Sequence, residues 1–360
     1  MNVPIDSLRA FCIAALRDAG VRESDAVTTA DALVTADAMG VFTHGTKLLS
    51  GYLNRLRGGG YRPMGKPWIE REGPAWAVID GDSAIGQVGC VFAIQAAITK
   101  AYNVGLAFVG LKNTGHIGAA GYYAELAARR GMIGVVMGND TPSVAAPGSR
   151  GAVLGSNPLA YAVPVGDDDP IVLDMATAAV AGGKVYAAHQ RGEPIPATWL
   201  IGQDGCPTTD SSLYPHRASL APMAGHKGYG LALLAEILAG ALPGGAMTWK
   251  IGSWMFDDPD KPSGHNAAFL AIDVATIAPP AEFATRMRTL VAEIHVAPTA
   301  EGVERVLLPG EREAAHRRQA VRDGIALPDD VRAKLGEVAR ETGLAAEWLE
   351  TTSSTKESMT

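Results

Sequence analysis

Residues 106–138 read LAFVGLKNTGHIGAAGYYAELAARRGMIGVVMG. Two short apolar runs, LAFVGL (106–111) and IGVVMG (133–138), bracket a glycine-punctuated turn and an amphipathic helix. Strand, turn, helix and strand in that order are the unit of an α/β domain. The turn carries one imidazole, His116, between Gly115 and Gly118. A core histidine ordinarily sits among bulky apolar neighbours. Glycines on both sides indicate that something large comes close to this backbone: a cofactor, a substrate or another strand.

The same pattern extends outward. AWAVID (75–80), PIVLDM (170–175) and AAFLAIDV (267–274) read as further strands separated by helical stretches, which makes 75–310 an α/β region. The flanks differ. Leu8, Phe11, Cys12, Ala15 and Leu16 recur at helical spacing, with Pro4 suited to a first helical turn. Further helices are expected from Ser24-Asp25 to Gly40 and from Lys47 to Arg57, and residues 61–74 read as a linker or an extended crossing. The chain turns helical again over 311–323, 328–341 and 343–350, and 351–360 is a polar tail. Chain ends often meet. Residues 1–74 and 311–350 are therefore expected to form one helical domain beside the α/β region.

Composition limits the function. The 360 residues are 47% hydrophobic and 19% charged, fitting a globular protein with a large core. A net charge of −7 without a basic stripe argues against a nucleic-acid partner. Cys12, Cys90 and Cys206 lie far apart, so neither a disulfide framework nor a metal site is expected. The longest apolar run, Leu231–Leu242, contains Glu236 and is stopped by Pro243, short of the ~20 residues of a membrane span. MNVPIDSLRAF places Asp6 and Arg9 where a secretory leader is apolar, so a cytoplasmic protein is expected.

The familiar nucleotide signatures are missing. GYRPMGKP (60–67) has near P-loop spacing, but Pro67 stands where a hydroxyl should hold magnesium, and no strand precedes it. GHIGAAG and GHKGYG lack the GxGxxG spacing. What remains is a set of glycine-flanked polar residues: Thr43-His44-Gly45, His116, Ser156-Asn157-Pro158, Asp174-Met175-Ala176-Thr177, His226-Lys227 and Pro309-Gly310-Glu311. Singly, each has a plain structural explanation as a helix start, cap or turn. Two are more pointed. Asp174 ends an apolar strand, where α/β sheets bind ligands. Lys227 opens an apolar helix, where a cation opposes the helix dipole unless an anion such as phosphate sits nearby.

Together these pieces resemble the malate/L-lactate dehydrogenase family that lacks the Rossmann fold. Ureidoglycolate and sulfolactate dehydrogenases, diketogulonate reductase and piperideine-2-carboxylate reductase are members. The resemblance runs from about residue 6 to 325. It is carried by THGTKLLSGYLNRL (43–56), GDSAIGQVG (81–89), NTGHIGAAGYYA (113–124), LGSNPLAYAVP (154–164), IVLDMATAAVAGGKV (171–185), GEPIPATWLIGQDGCPTTD (192–210), HKGYGLALLAEILAGAL (226–242) and LLPGEREAA (307–315).

The resemblance implies a mixed-sheet domain of non-Rossmann topology packed on a helical domain built from both chain ends. It implies hydride transfer between NADH or NADPH and a 2-oxo or 2-hydroxy acid, or a cyclic imine acid, in a homodimer. His116 and His44 match acid/base positions. Asp174, Met175, Ala176, His226, Lys227, Pro309, Gly310 and Glu311 match cofactor positions. Thr43, Lys47, Tyr52, Asp140 and Arg150 are the substrate-side candidates.

Three blocks depart from the family pattern. The SHGxxR block reads Thr43-His44-Gly45-Thr46-Lys47-Leu48, so the hydroxyl is kept and a carboxylate-clamping arginine is lost. Gly182 replaces an arginine ahead of Gly183-Lys184, and the Pro-Trp-Gly-Gly loop reads Pro147-Gly148-Ser149-Arg150. Arg150, with Lys47 second, is the candidate to rebuild the clamp, because arginine suits a planar carboxylate.

Overall fold

The computed structural model describes residues 2–349, and the polar tail at 351–360 lies outside them. Helices α1 (Ile5–Asp18) and α2 (Glu23–Ala38) open the chain, and two single 3-10 turns, Phe42–His44 and Thr46–Leu48, lead into α3 (Leu49–Gly58). Next come β1 (Trp68–Gly73), β2 (Trp76–Asp80), α4 (Gly86–Val104), β3 (Leu106–Thr114), α5 (Ala120–Ala128) and β4 (Met132–Asn139). The middle holds β5 (Val144–Ala145), β6 (Ala152–Leu154), β7 (Leu159–Val165), β8 (Asp168–Met175), α6 (Gly182–Gln190), β9 (Leu200–Gly202), β10 (Pro207–Thr208) and β11 (Ala218–Leu220). Then follow α7 (His226–Glu236), continued by a π-helical turn Ile237–Ala241, and β12 (His265–Asp273). The chain closes with α8 (Val274–Ile277), α9 (Pro280–His295), α10 (Glu311–Asp323) and α11 (Asp329–Thr342).

Seven strands form one mixed sheet in the order β1-β2-β3-β12-β4-β7-β8. Only β2 and β3 run parallel, joined through α4; the other neighbours are antiparallel. This is the mixed α/β architecture expected from the sequence, and it explains the missing GxGxxG. That fingerprint belongs to a parallel sheet whose first strand feeds a phosphate-binding helix. A smaller sheet, β10-β9-β11-β5-β6, packs with α6 around Val185, Leu200 and Leu220.

Close packing of small residues builds the centre. Ala93, Ala97, Ala101, Ala120, Ala124 and Ala127 bring α4 and α5 down on the sheet. A Cβ at Gly134 would stand 2.6 Å from the Ala124 carbonyl oxygen, so α5 meets β4 backbone to backbone. On the opposite face, Ala235 and Ala239 of α7 and its π turn meet Met137 and Ala268.

The chain-end helices share a separate core. Leu8, Leu16, Leu33, Leu53, Val331, Leu335 and Val338 are all buried in it. The five expected strands fall on β2, β3, β4, β8 and β12. Residues 68–73 are not a crossing, however. Their six residues form the edge strand β1, and its five mostly exposed side chains gave no apolar signal. Helix α9 and strand β7 were also unread; α9 buries no residue, and Pro164 interrupts β7. Of the helix expected over 343–350, the described residues keep one 3-10 turn, Glu347–Leu349.

Because Leu335 is fully buried among both chain ends, truncating it leaves a cavity between them. Leu335→Ala is expected to lower global stability by about 2–5 kcal/mol, read as a lower urea midpoint at unchanged slope.

Candidate active site

His116 lies in the turn that carries the chain from β3 into α5. Its glycines do not make room for a ligand. A Cβ on Gly115 would stand 2.8 Å from the Tyr61 ring, and one on Gly118 (φ +69) 2.8 Å from Gln87 Nε2. The large groups that approach this backbone are therefore Tyr61 and Gln87. The His116 main-chain N–H donates to Tyr61 Oη at 2.9 Å, and the imidazole itself is held by Tyr52, whose Oη bonds His116 Nδ1 at 2.8 Å.

The ring is also fixed by stacking. The Trp254 indole lies nearly parallel to it, with centroids 4.6 Å apart. Trp254 is placed by α3, whose Gly51, Arg55 and Gly58 share one helical face. A Cβ on Gly51 would be 2.8 Å from the indole, and one on Gly58 would be 2.6 Å from Pro259 Cβ. Between them the buried Arg55 donates five hydrogen bonds of 2.5–3.1 Å to the carbonyls of Ser253, Trp254, Asp257, Asp258 and Lys261. All five guanidinium N–H groups are used on one loop.

With Nδ1 bonded to Tyr52, Nε2 is the free nitrogen of His116. Burial pushes its pKa down to about 3, assisted by His265, so the ring is neutral near pH 7. Gln87 Nε2 donates to Tyr52 Oη at 3.2 Å, which lets the phenol give its proton to His116 Nδ1. Gln87 Oε1 is then buried without a donor. Turning the amide over supplies that donor: Nδ1–H donates to Tyr52, and Tyr52 donates to Oε1. The two amide orientations correspond to the two His116 tautomers, one with Nε2 protonated and one with Nε2 basic.

Three further groups surround this ring. His44 ends its 3-10 turn with a ring centroid 6.1 Å from that of His116 and nearly parallel to it. Thr43 Oγ1 bonds His44 Nδ1 at 3.0 Å, so the threonine hydroxyl orients this imidazole. Burial lowers the His44 pKa against the pull of the Asp174 and Asp140 carboxylates. Asp174, at the end of β8, accepts the Gly121 N–H at 2.7 Å and so also anchors the start of α5. Asp140 follows β4 and binds His265 Nε2 at 3.0 Å; His265 Nδ1 bonds Ser263 Oγ at 2.9 Å. Burial raises the Asp140 pKa, but His265 and the Thr141 N–H outweigh it and hold the carboxyl below its ordinary value.

Beneath the His44 turn sits Asp37. Its Oδ2 accepts the Thr46 N–H at 3.0 Å and the Thr46 hydroxyl at 2.5 Å. Any Cβ at Gly45 would overlap its Oδ1, which is buried and unpartnered. Burial raises Asp37 to about 7 despite the Thr46 bonds.

The cofactor candidates gather on one side. The segment after Asp174-Met175-Ala176 is laced to 221–223 by Ala179 N–H to Ala221 O and Met223 N–H to Thr177 O, and 221–223 leads straight to His226-Lys227. Both residues are exposed at the start of α7, and Lys227 has no partner among the described residues. Gly225 precedes them at φ +65. The Pro309-Gly310 turn lies against β8, the Val172 N–H donating to Pro309 O, and a Cβ on Gly310 would meet Val172 O at 2.7 Å. The Glu311 carboxylate is already engaged by His295 Nε2 at 2.7 Å and by the Leu308 N–H.

Both clamp candidates contact other parts of the chain. Lys47 is drawn to Asp330 of α11 at 2.6 Å, and Arg150 is exposed beside Gly205 of the small sheet. At Gly182 the space for a side chain is filled, since a Cβ there would stand 2.5 Å from the Tyr214 hydroxyl. Sequence reasoning did not find Trp254, His265, Tyr61, Gln87, Arg55 or Asp37. One signal was available for His265: it heads the AAFLAIDV strand, and antiparallel pairing sets it opposite Thr114, two residues before His116.

The sequence profile described as malate/L-lactate dehydrogenase matches residues 3–336, and the chain belongs to that family of oxidoreductases. It is 36% identical over 351 residues to the malate dehydrogenase of Pyrococcus horikoshii, covering 96% of each chain. It is 33% identical over 331 residues to the NAD(+) ureidoglycolate dehydrogenase of Escherichia coli K12, covering 92% of this chain and 94% of that one. The solved sulfolactate dehydrogenase of Methanocaldococcus jannaschii superposes with a TM-score of 0.88 at 36% identity, over 96% of this chain and 98% of the other.

Asp37 and His116 give opposite pH slopes. Folded Asp37 keeps its proton up to about pH 7 while the unfolded carboxyl loses it near 3.8, so its contribution falls as pH rises through that window. Folded His116 stays neutral down to about 3 while the unfolded ring protonates near 6.5, so its contribution falls as pH drops. Asp37→Asn is expected to remove the first slope, so its stability should decline more steeply than wild type from pH 6.5 to 4. Urea midpoints across that range test this; a pH-independent offset between the proteins refutes it.

Proposed function

We propose that the protein transfers a hydride between a nicotinamide dinucleotide and C2 of a 2-oxo or 2-hydroxy acid, with His116 as the acid/base. The observation that carries this reading is the His116 ring, locked by Tyr52 and Trp254 with Nε2 free beside His44 and Asp140. NADH or NADPH, when bound, supplies or accepts the hydride. The start of α7 fits a dinucleotide phosphate: a lysine without a partner among the described residues, a glycine at positive φ and the first main-chain N–H groups of the helix, at His226 and Lys227, converge there. Asp174, Met175, Ala176 and the Pro309-Gly310 turn complete that side of the cleft. Glu311 acts by holding the turn, since its carboxylate is spent locally.

In alcohol oxidation, neutral His116 takes the hydroxyl proton at Nε2, and Tyr52 and Gln87 accommodate the proton on Nδ1. His44, oriented by Thr43, steadies the reacting oxygen. In carbonyl reduction the proton runs the other way. The reading extends to a cytoplasmic homodimer. Leu233, Leu234 and Ile237 of α7 and its π turn are exposed, which supports a covered face there. A catalytically weak cofactor-binding relative is the alternative, and retention of both histidines speaks against it.

His116→Ala is expected to lower kcat by about 10²–10⁴-fold while NAD(P)H still binds, as followed by nicotinamide fluorescence. Lys227→Ala is expected to do the reverse, weakening dinucleotide binding with little change in kcat at saturation. Near-normal turnover in His116→Ala would remove the acid/base assignment, and unchanged affinity in Lys227→Ala would remove the phosphate site.

A further inference from the structure

Tyr52 is a substrate-side candidate by sequence, yet it is fully buried. Its hydroxyl has two partners, His116 Nδ1 at 2.8 Å and the Gln87 amide at 3.2 Å. Gln87 is 1% accessible, in the first turn of α4, and Gly118 of the His116 turn leaves room for its amide. The bond to Tyr52 is the one that this amide makes among the described residues, and its oxygen is buried without a donor. A phenol has one proton to give. Given to Nδ1, it leaves the His116 proton on Nε2. Given to Gln87, it lets Tyr52 accept from Nδ1–H, and Nε2 keeps its lone pair.

We propose that Gln87 is a positioning residue, which accepts the Tyr52 proton in a hydrogen bond and so gives His116 the Nδ1–H tautomer that proton transfer at Nε2 requires. This rests on the hydride-transfer reading above and concerns how its acid/base is set. In alcohol oxidation the hydroxyl O–H bond breaks and an Nε2–H bond forms, while the hydride on C2 passes to the oxidised nicotinamide. The imidazolium that results carries a proton on both nitrogens. In carbonyl reduction the Nε2–H bond of that cation breaks, and neutral Nδ1–H imidazole is left. Nδ1 holds its proton before and after either step, so Tyr52 accepts from it throughout and has only Gln87 to donate to. The opposite tautomer has no lone pair on Nε2 to take a proton, and giving one up there would leave an imidazolate. Tyr52 and Gln87 therefore act through His116 and touch no substrate.

The test replaces Gln87 with leucine and with glutamate. In Gln87→Leu the one acceptor left to the Tyr52 hydroxyl is His116 Nδ1, which holds the ring as Nε2–H. In Gln87→Glu a buried carboxyl again offers an acceptor. Two-bond ¹H–¹⁵N correlation spectra of histidine-labelled protein report the tautomer without any turnover. Wild type and Gln87→Glu are expected to show His116 as Nδ1–H, and Gln87→Leu as Nε2–H. With malate and lactate and either oxidised dinucleotide, kcat should fall by about tenfold or more in Gln87→Leu, as for partial loss of a general base, and recover in Gln87→Glu. Dinucleotide affinity, followed by nicotinamide fluorescence, should be equal in all three. An Nε2–H signal in wild type, an Nδ1–H signal that persists in Gln87→Leu, or an equal loss of turnover in both variants overturns the role of Gln87 and leaves hydride transfer standing. A tautomer that switches as expected while Gln87→Leu turns over like wild type removes His116 as the acid/base, and the proposal with it.

Discussion

The buried guanidinium of Arg55 is the interaction on which the site depends. Burying an isolated cation costs several kcal/mol, and among the described residues no carboxylate forms an ion pair with it. Five backbone carbonyls do so instead, all from residues 253–261. A loop without regular structure thus acquires one conformation. That conformation sets the Trp254 indole against His116, with Gly51 and Gly58 kept small enough for the loop to sit flat on α3. An ion pair would have fixed one atom; five carbonyls fix a whole segment.

Four glycines near the site answer a steric demand of the protein itself. Gly45 admits the Asp37 carboxyl, Gly115 the Tyr61 ring, Gly118 the Gln87 amide and Gly182 the Tyr214 hydroxyl. The result is two imidazoles held by short side-chain contacts inside a crowded, partly buried cleft. Desolvation lowers the pKa of both rings, and the carboxyl of Asp140, held below its ordinary value, gives the cleft its negative character, whereas burial raises Asp174. The same desolvation raises Asp37, so stability and catalysis draw on one set of buried titratable groups.

The polar web also joins the two sides of the sheet. Glu236, at the end of α7, accepts from Asn157 at 2.9 Å and from the Thr248 N–H at 2.8 Å. Asn157 accepts the Asp140 N–H at 3.1 Å, and Asp140 holds His265. The π-helical turn begins directly after Glu236, which lets the helix widen where this carboxylate reaches inward. The helix whose first turn carries Lys227 is thereby anchored, at its other end, to the residues around His116.

The sequence alone determined the elements whose signals are local. Apolar runs named β2, β3, β4, β8 and β12, helical spacing named the chain-end helices, and eight ordered blocks named the family. It also singled out His44, His116 and Asp174, because polar residues among glycines stand out in a one-dimensional pattern, and the family resemblance added Tyr52 and Asp140. Tertiary structure decided what those glycines were for, since their contacts come from segments tens to hundreds of residues away. It set Lys47 against Asp330 and Arg150 beside Gly205, contacts that lie outside any local window. Trp254 and Arg55 were illegible for the same reason. A lone tryptophan in a loop and an arginine on a helix carry no signal until folding brings them to one imidazole, and His265 had only its place at the head of a strand.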